Sequence, residues 1–101
     1  MIITLMKVII VGAGISGLAT AQALLKRRPD LELVLLEGCD RAGGKVWSER
    51  TADGWLCEWG VNGFLDKEPA TLALCDELNL VRLAGDESAK RRYVFSDGRL
   101  H

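Results

Sequence analysis

Two prolines, a single histidine and no C-x-x-C pair mark what this 101-residue chain does without. The histidine is His101, the last residue, and no group of His, Cys and carboxylates has metal-ligand spacing, so a metal centre is not expected. Cys39, Cys57 and Cys75 are odd in number. That argues against a disulfide framework and for reduced thiols in a cytoplasmic setting. Charge of one sign is also lacking: 13 Lys and Arg stand against 14 Asp and Glu, a formal net charge of −1. Neither nucleic acid nor an anionic membrane is therefore attracted to the chain as a whole. Long apolar runs are absent too. The stretch from Met1 to Val11 carries Lys7 and is too short to span a bilayer. It has no basic start and no small-residue cleavage site, so a buried strand explains it better than a signal peptide. No Ser/His/Asp or Cys/His constellation, internal repeat, low-complexity segment or linker is visible.

What is there reads as globular protein, 49% hydrophobic and 27% charged, long enough for one small domain with a core. Lys7-Val8-Ile9-Ile10-Val11 is a continuous β-branched run, the pattern of a strand covered on both faces in a parallel sheet. Gly12-Ala13-Gly14-Ile15-Ser16-Gly17 ends it abruptly. From Gly17 to about Arg28 the composition favours helix, with Gly17, Ala21, Leu24 and Leu25 on one side. Pro29-Asp30 stops that helix, and Leu31 to Leu36 reads as a second buried strand ending at Glu37. These elements make a β-α-β unit.

Beyond Glu37, Gly38 to Gly44 is a loop. Val46 to Arg50 and Trp55 to Trp59 form two strands joined through Asp53-Gly54. Pro69 to Leu78 is predicted helical, with Leu72, Cys75 and Leu78 along one face. Arg92 to Phe95 and Arg99-Leu100 make a further hairpin around Ser96-Asp97-Gly98, whose second strand has barely begun. The fold class expected is α/β, a partial Rossmann-like FAD-binding domain. Residues 1–101 are expected to be the N-terminal part of an FAD/NAD(P)-binding domain, with the chain stopping in mid-element.

A G-x-G-x-x-G alone is weak evidence, but here a strand precedes it, a helix follows, and an acid ends the next strand. Gly12 lets the chain turn sharply off the first strand, Gly14 leaves room for a pyrophosphate, and Gly17 allows close helix–sheet packing. The helix N-terminus offers free N–H groups and a positive dipole end to phosphate. Glu37 follows Gly17 by about 20 residues, where a carboxylate accepts hydrogen bonds from ribose hydroxyls and repels a 2′-phosphate. The bland alternative is a glycine-rich turn in an ordinary β-α-β unit, with Glu37 simply solvated. Arg41-Ala42-Gly43-Gly44 comes next; the glycine pair permits close backbone approach, and the arginine either braces phosphate oxygens or stitches the loop together.

Together, Gly12 to Gly17, Glu37 and Arg41-x-Gly43-Gly44 resemble the N-terminal signature of the flavin amine oxidase superfamily, which includes monoamine oxidases, phytoene desaturases and protoporphyrinogen oxidases. Glu58-Trp59-Gly60-Val61-Asn62-Gly63-Phe64-Leu65 resembles the acid-x-Gly-Pro-Asn-Gly-Phe segment of the protoporphyrinogen oxidase family, and Arg92 to His101 resembles its aromatic hairpin. The resemblance implies FAD as cofactor: Gly12 to Gly17 on the pyrophosphate, Glu37 on the ribose, and Lys45 touching the cofactor through its backbone. It also implies that Gly60, Val61, Asn62 and Gly63 pass beside the flavin ring, with Asn62 closest to a small-molecule substrate, a porphyrinogen or an amine. Val61 departs from the family's proline and keeps an N–H donor. No catalytic acid or base is implied within this stretch. The isolated chain is expected to have little or no oxidase activity, and any membrane docking to lie outside it. A non-catalytic FAD- or NAD-binding module is the alternative from another class. An amine oxidase or carotenoid desaturase is the alternative among enzymes.

The remaining features have structural readings. Trp47, Trp55 and Trp59 are read as core packing more readily than as ligand-flanking aromatics. Lys90-Arg91-Arg92 is a solvated basic turn, Asp66, Glu68, Asp76 and Glu77 are surface acids, and Cys57 is a buried structural thiol.

Overall fold

The computed structural model describes residues 6–101. In chain order the elements are β1 (Lys7–Val11), α1 (Ile15–Arg27), β2 (Glu32–Leu36), β3 (Ser48–Arg50), β4 (Leu56–Glu58), α2 (Pro69–Glu77), a 3₁₀ turn (Glu87–Lys90), β5 (Phe95–Ser96) and β6 (Arg99–Leu100). Where the sequence shows no linker, the chain divides into two compact units, one ending at Phe64 and the other running from Leu65 to His101.

In the first unit, β1 and β2 pair in parallel, from Lys7 opposite Glu32 to Val11 opposite Leu36. This is the expected β-α-β arrangement, because parallel neighbours need a crossover and α1 supplies it. The part of the Met1–Val11 reading that covers residues 1–5 lies outside the described residues. The α1 helix begins at Ile15, two residues before the expected start. Lys26 and Arg27 occupy its last turn, where their charge complements the negative end of the helix dipole. It ends ahead of Pro29, as proline requires.

Gly17, Ala21 and Leu24 are half-buried, at the spacing of one helix face, whereas Leu25 is exposed. Gly17 packs so closely that a Cβ there would sit 1.9 Å from the Gly12 carbonyl oxygen and 3.4 Å from Ile10 Cγ2. Small residues on this face bring the helix against the strands. Lys7 and Glu32 close the start of the sheet with a 2.7 Å ion pair. Both side chains are half exposed, so that pair adds under about 1 kcal/mol.

The buried-strand expectation is corrected by the accessibilities. Ile9, Val11 and Leu36 are exposed, and only alternate residues of β1 are shielded. Among the described residues the sheet has two strands, and α1 is the element that packs on it. Coverage of both faces needs further layers.

The second pairing, β3 with β4, is an antiparallel hairpin in which Glu49 faces Cys57. Its loop is Ala52-Asp53-Gly54, closed by bonds between Thr51 and Trp55 and between Gly54 N–H and the Thr51 carbonyl. Gly54 takes φ 87°, the left-handed residue that completes a three-residue hairpin loop. Backbone bonds from Trp59 to Trp47 and from Val61 to Lys45 extend the pairing beyond the regular strands.

In the second unit, α2 starts with Pro69 in its first turn and closes on Asn79 at φ 53°. Asn79 N–H donates to the Asp76 carbonyl and Leu80 N–H to that of Cys75, which satisfies the last carbonyls of the helix. Thr71, Leu72 and Leu74 are half-buried and Cys75 is buried, while Leu78 is exposed. β5 and β6 form the expected terminal hairpin, but β5 is Phe95–Ser96 rather than Arg92 to Phe95, and the turn is the two residues Asp97 (φ 51°) and Gly98 (φ 76°), whose backbone signs suit an Asp-Gly turn.

Among the described residues only Ala13, at 1% exposure, and Cys75, at 8%, are buried apolar groups. The expectation of a core is therefore not met. All three tryptophans are exposed, which corrects their reading as core residues, and Cys57 is half-buried rather than buried. Among the described residues each unit has one α-helix and short strand pairs, and no second layer covers these side chains.

Candidate dinucleotide-binding site

The site is organised around Ala13, the buried residue of the glycine turn. Gly12 leaves β1 at φ 98°, and its N–H still donates to the Leu36 carbonyl at 2.7 Å. Ala13 N–H then donates to Glu37 Oε2 at 2.8 Å. The Ala13 carbonyl accepts from Gly43 N–H at 2.7 Å. One residue thus ties the glycine turn to the acid at the end of β2 and to the glycine pair of the following loop. A bridge between Gly14 and Gly43 reinforces the same junction.

At the start of α1, Gly14 is the cap residue and no side chain caps the helix. The N–H groups of Ile15, Ser16 and Gly17 belong to the first turn, which has no intrahelical acceptor for them. Ile15 and Ser16 are exposed. This is the arrangement that accepts phosphate oxygens.

Glu37 presents its carboxylate beside that turn. Oε1 accepts from Cys39 N–H at 2.9 Å, while Oε2 takes Ala13 N–H. The Cys39 amide, followed by the Ala13 amide, holds the carboxyl below its ordinary value of 4.5, so the group is ionised at neutral pH. Each carboxylate oxygen has further lone-pair capacity for a ribose hydroxyl. An exposed, ionised carboxylate and an uncapped helix N-terminus therefore fit the ribose hydroxyls and the pyrophosphate of an adenosine diphosphate group.

Arg41 takes the second of its two expected roles. Its guanidinium donates to the carbonyls of Ala42 (3.2 Å), Val46 (3.3 Å) and Gly44 (2.7 Å). It also lies 4.9 Å from the centre of the Trp47 ring. The fork stitches the loop, a task for which its planar donors are suited.

Beside this loop is an open depression of about 340 Å³, lined by Arg41, Gly44, Lys45, Trp47, Trp59, Gly60 and Val61. Glycine at 60 is demanded by proximity, since a Cβ there would lie 1.8 Å from the Lys45 carbonyl oxygen. That carbonyl accepts from Val61 N–H at 3.2 Å, a bond that the family's proline has no N–H to make. The structure thus gathers Lys45, Gly60 and Val61 in one place. Asn62 and Gly63 are exposed and do not line the depression.

Trp47 and Trp59 are lining residues that the core-packing reading passed over. Their rings are 6.1 Å apart and inclined at 36°, and Trp59 Nε1 donates to Glu49 Oε2 at 2.9 Å. The three-residue loop Ala52-Asp53-Gly54 is what sets position 47 opposite 59, and counting outward from Asp53-Gly54 alone would have set it opposite 60. Among the described residues no group of three or more His, Cys, Asp or Glu is placed to hold a metal, and no helix is long and apolar enough to cross a membrane.

Comparison with known proteins bears on this geometry. The chain is 30% identical over 94 residues to coproporphyrinogen III oxidase of Staphylococcus aureus, covering 93% of this chain and 20% of that protein. It is 39% identical over 95 residues to the chloroplastic protoporphyrinogen oxidase 1 of Arabidopsis thaliana, covering 91% of this chain and 17% of that one. Among solved structures it is similar to a putrescine oxidase variant redesigned in cofactor binding, with TM-score 0.62 and 36% identity over 75% of this chain and 17% of that chain. The chain thus spans about a fifth of the length of the relatives it matches. The family described as flavin containing amine oxidoreductase matches residues 15–101. The dinucleotide form of that flavin, the one a glycine turn and a ribose carboxylate bind, is FAD. Turn, carboxylate, glycine-pair loop and sequence match agree, and the chain belongs to the flavin containing amine oxidoreductase family.

Proposed function

We propose that this chain forms the FAD-binding part of a flavin-dependent oxidase that takes a porphyrinogen, with dioxygen as the final electron acceptor. The observation that carries the cofactor part is the meeting, through Ala13, of the glycine turn, the Glu37 carboxylate and the Gly43-Gly44 loop. In this reading the first-turn amides of α1 hold the pyrophosphate and Glu37 holds the adenosine ribose. Arg41 keeps the loop in shape while Lys45, Gly60 and Val61 line the ring side. Held by these residues, FAD would supply two-electron oxidation of a porphyrinogen carbon, with dioxygen as the final electron acceptor, and the protein supplies binding, orientation and electrostatics.

The porphyrinogen assignment is supported by the Glu58–Leu65 segment and by relatives that are themselves named coproporphyrinogen and protoporphyrinogen oxidases. A cytoplasmic location is proposed with it. The second reading is an amine oxidase, favoured by the putrescine oxidase structure and by a Kocuria rosea putrescine oxidase 35% identical to this chain.

The test uses the whole protein that carries this chain. Purified, it is expected to show bound flavin in the visible spectrum. Supplied in turn with protoporphyrinogen, coproporphyrinogen and putrescine, it is expected to generate porphyrin fluorescence and hydrogen peroxide with a porphyrinogen. Peroxide from the amine alone transfers the assignment to the amine oxidases. A protein that takes up no FAD removes the reading.

A further inference from the structure

We propose that Trp47 is a positioning residue for the cofactor loop: it holds the Arg41 guanidinium in the orientation that shapes Gly43 and Gly44. This rests on the FAD-binding reading above.

The relay begins at Glu49. Its Oε2 accepts from Trp59 Nε1 at 2.9 Å, which fixes the indole of Trp59. Trp59 N–H donates to the Trp47 carbonyl at 2.9 Å, and the two rings meet at 6.1 Å with a 36° tilt. Trp47 is therefore held both through its backbone and through its ring. Its other contact is the guanidinium of Arg41, 4.9 Å from the ring centre. Arg41 in turn bonds the carbonyls of Ala42, Gly44 and Val46.

Between those carbonyls lie two residues with positive φ, Gly43 at 110° and Gly44 at 57°. Glycine loses more conformational freedom on ordering than any other residue, so such a pair depends on outside restraint. Arg41 supplies it from one side, and the Gly43–Ala13 bond supplies it from the other. A guanidinium over an indole face is attracted to it, which favours the orientation in which its donor arms reach the loop carbonyls. Without the indole, the guanidinium is free to turn to solvent and the loop loses its template.

The test compares FAD affinity in the whole flavoprotein for Trp47→Leu, Trp47→Phe and a control, Trp55→Leu, at the exposed hairpin loop. Trp47→Leu is expected to weaken FAD binding by about tenfold and to shift the visible band of the bound flavin. Trp47→Phe keeps a ring face and is expected to stay within about threefold of wild type, as is Trp55→Leu. Arg41→Lys keeps the charge but loses the fork, and is expected to match Trp47→Leu. The double variant is expected to be no worse than either single, because both break one link. Wild-type affinity and spectrum in Trp47→Leu overturn the inference, as does simple addition of the two losses. If Trp47→Leu does not fold, Trp47→Met, which keeps bulk without a ring face, takes its place with the same expected loss and the same overturning result. A wild-type protein that binds no FAD overturns the functional reading itself, and is distinguished by that result.

Discussion

Ala13 N–H donates to Glu37 Oε2 at 2.8 Å across 24 positions of sequence, so the glycine turn and the acid that follows β2 are locked together in the protein itself. The carboxylate does not wait loosely for a ligand. Two backbone amides hold it in place, with the remaining lone pairs open. Such pre-organisation reduces what must be ordered when a dinucleotide binds.

Glu37→Gln tests the ribose assignment. The amide keeps the shape but loses the charge and half of the acceptor capacity. Binding of FAD to the whole protein, followed by flavin fluorescence, is expected to weaken by about tenfold, as for loss of a charge-assisted hydrogen bond. Unaltered affinity would take Glu37 out of the ribose site.

The same carboxylate gives a pH dependence whose sign is determined by its shift. Its folded value is depressed by the amides of Cys39 and Ala13, below the ordinary 4.5. Its contribution to the folded state is therefore fully present above 4.5 and is lost as pH falls through the depressed folded value. Amide chemical shifts of Ala13 and Cys39, followed downward from pH 6, are expected to move together with one low midpoint. Glu37→Gln is expected to abolish that transition. Persistence of the transition in the variant would assign it to another group.

Gly17→Ala sets two effects against each other. Alanine favours a helix interior by about 1 kcal/mol over glycine. Its methyl group would lie 1.9 Å from the Gly12 carbonyl oxygen, which is backbone and cannot swing aside. Forced movement of packed elements costs about 1–3 kcal/mol, so the clash wins and the protein is destabilised. Denaturant unfolding of the whole protein reads the sign, and a stabilised variant would contradict this packing.

Gly60→Ala is expected to act on the ring side alone. The new methyl would meet the Lys45 carbonyl oxygen at 1.8 Å and displace the segment after β4 that carries Val61. A loss of about 1–3 kcal/mol is expected. Hydrogen exchange at Val61 should accelerate, while that at Gly12 and Gly43 stays as in wild type. Equal acceleration at all three would mean that the hairpin and the glycine turn unfold as one piece.

Much of this was legible in the sequence because it is local. The β-branched run of β1, the alanine and leucine content of α1, the stop at Pro29 and the Asp-Gly turns of both hairpins each encode their own conformation over a few residues. The site was legible for a related reason. Glycines at 12, 14 and 17 and an acid at 37 have a physical task only in a β-α-β unit, so spacing carries the geometry. The choice between bracing phosphate and stitching the loop for Arg41 was not legible. It depends on where the carbonyls of Ala42, Gly44 and Val46 come to lie.

Sequence by itself therefore determined the β-α-β unit, the two hairpins, the second helix, their order and the family of ligand, though not the 3₁₀ turn at Glu87–Lys90, because propensity, turn chemistry and motif spacing act over short stretches. Tertiary structure alone decided which groups meet. It joined Ala13 to both Glu37 and Gly43, placed Trp47 against Arg41, and left the tryptophans and the outer residues of β1 exposed. Burial and side-chain contact are sums over neighbours distant in sequence, and two packed units of this size supply too few neighbours to cover those side chains.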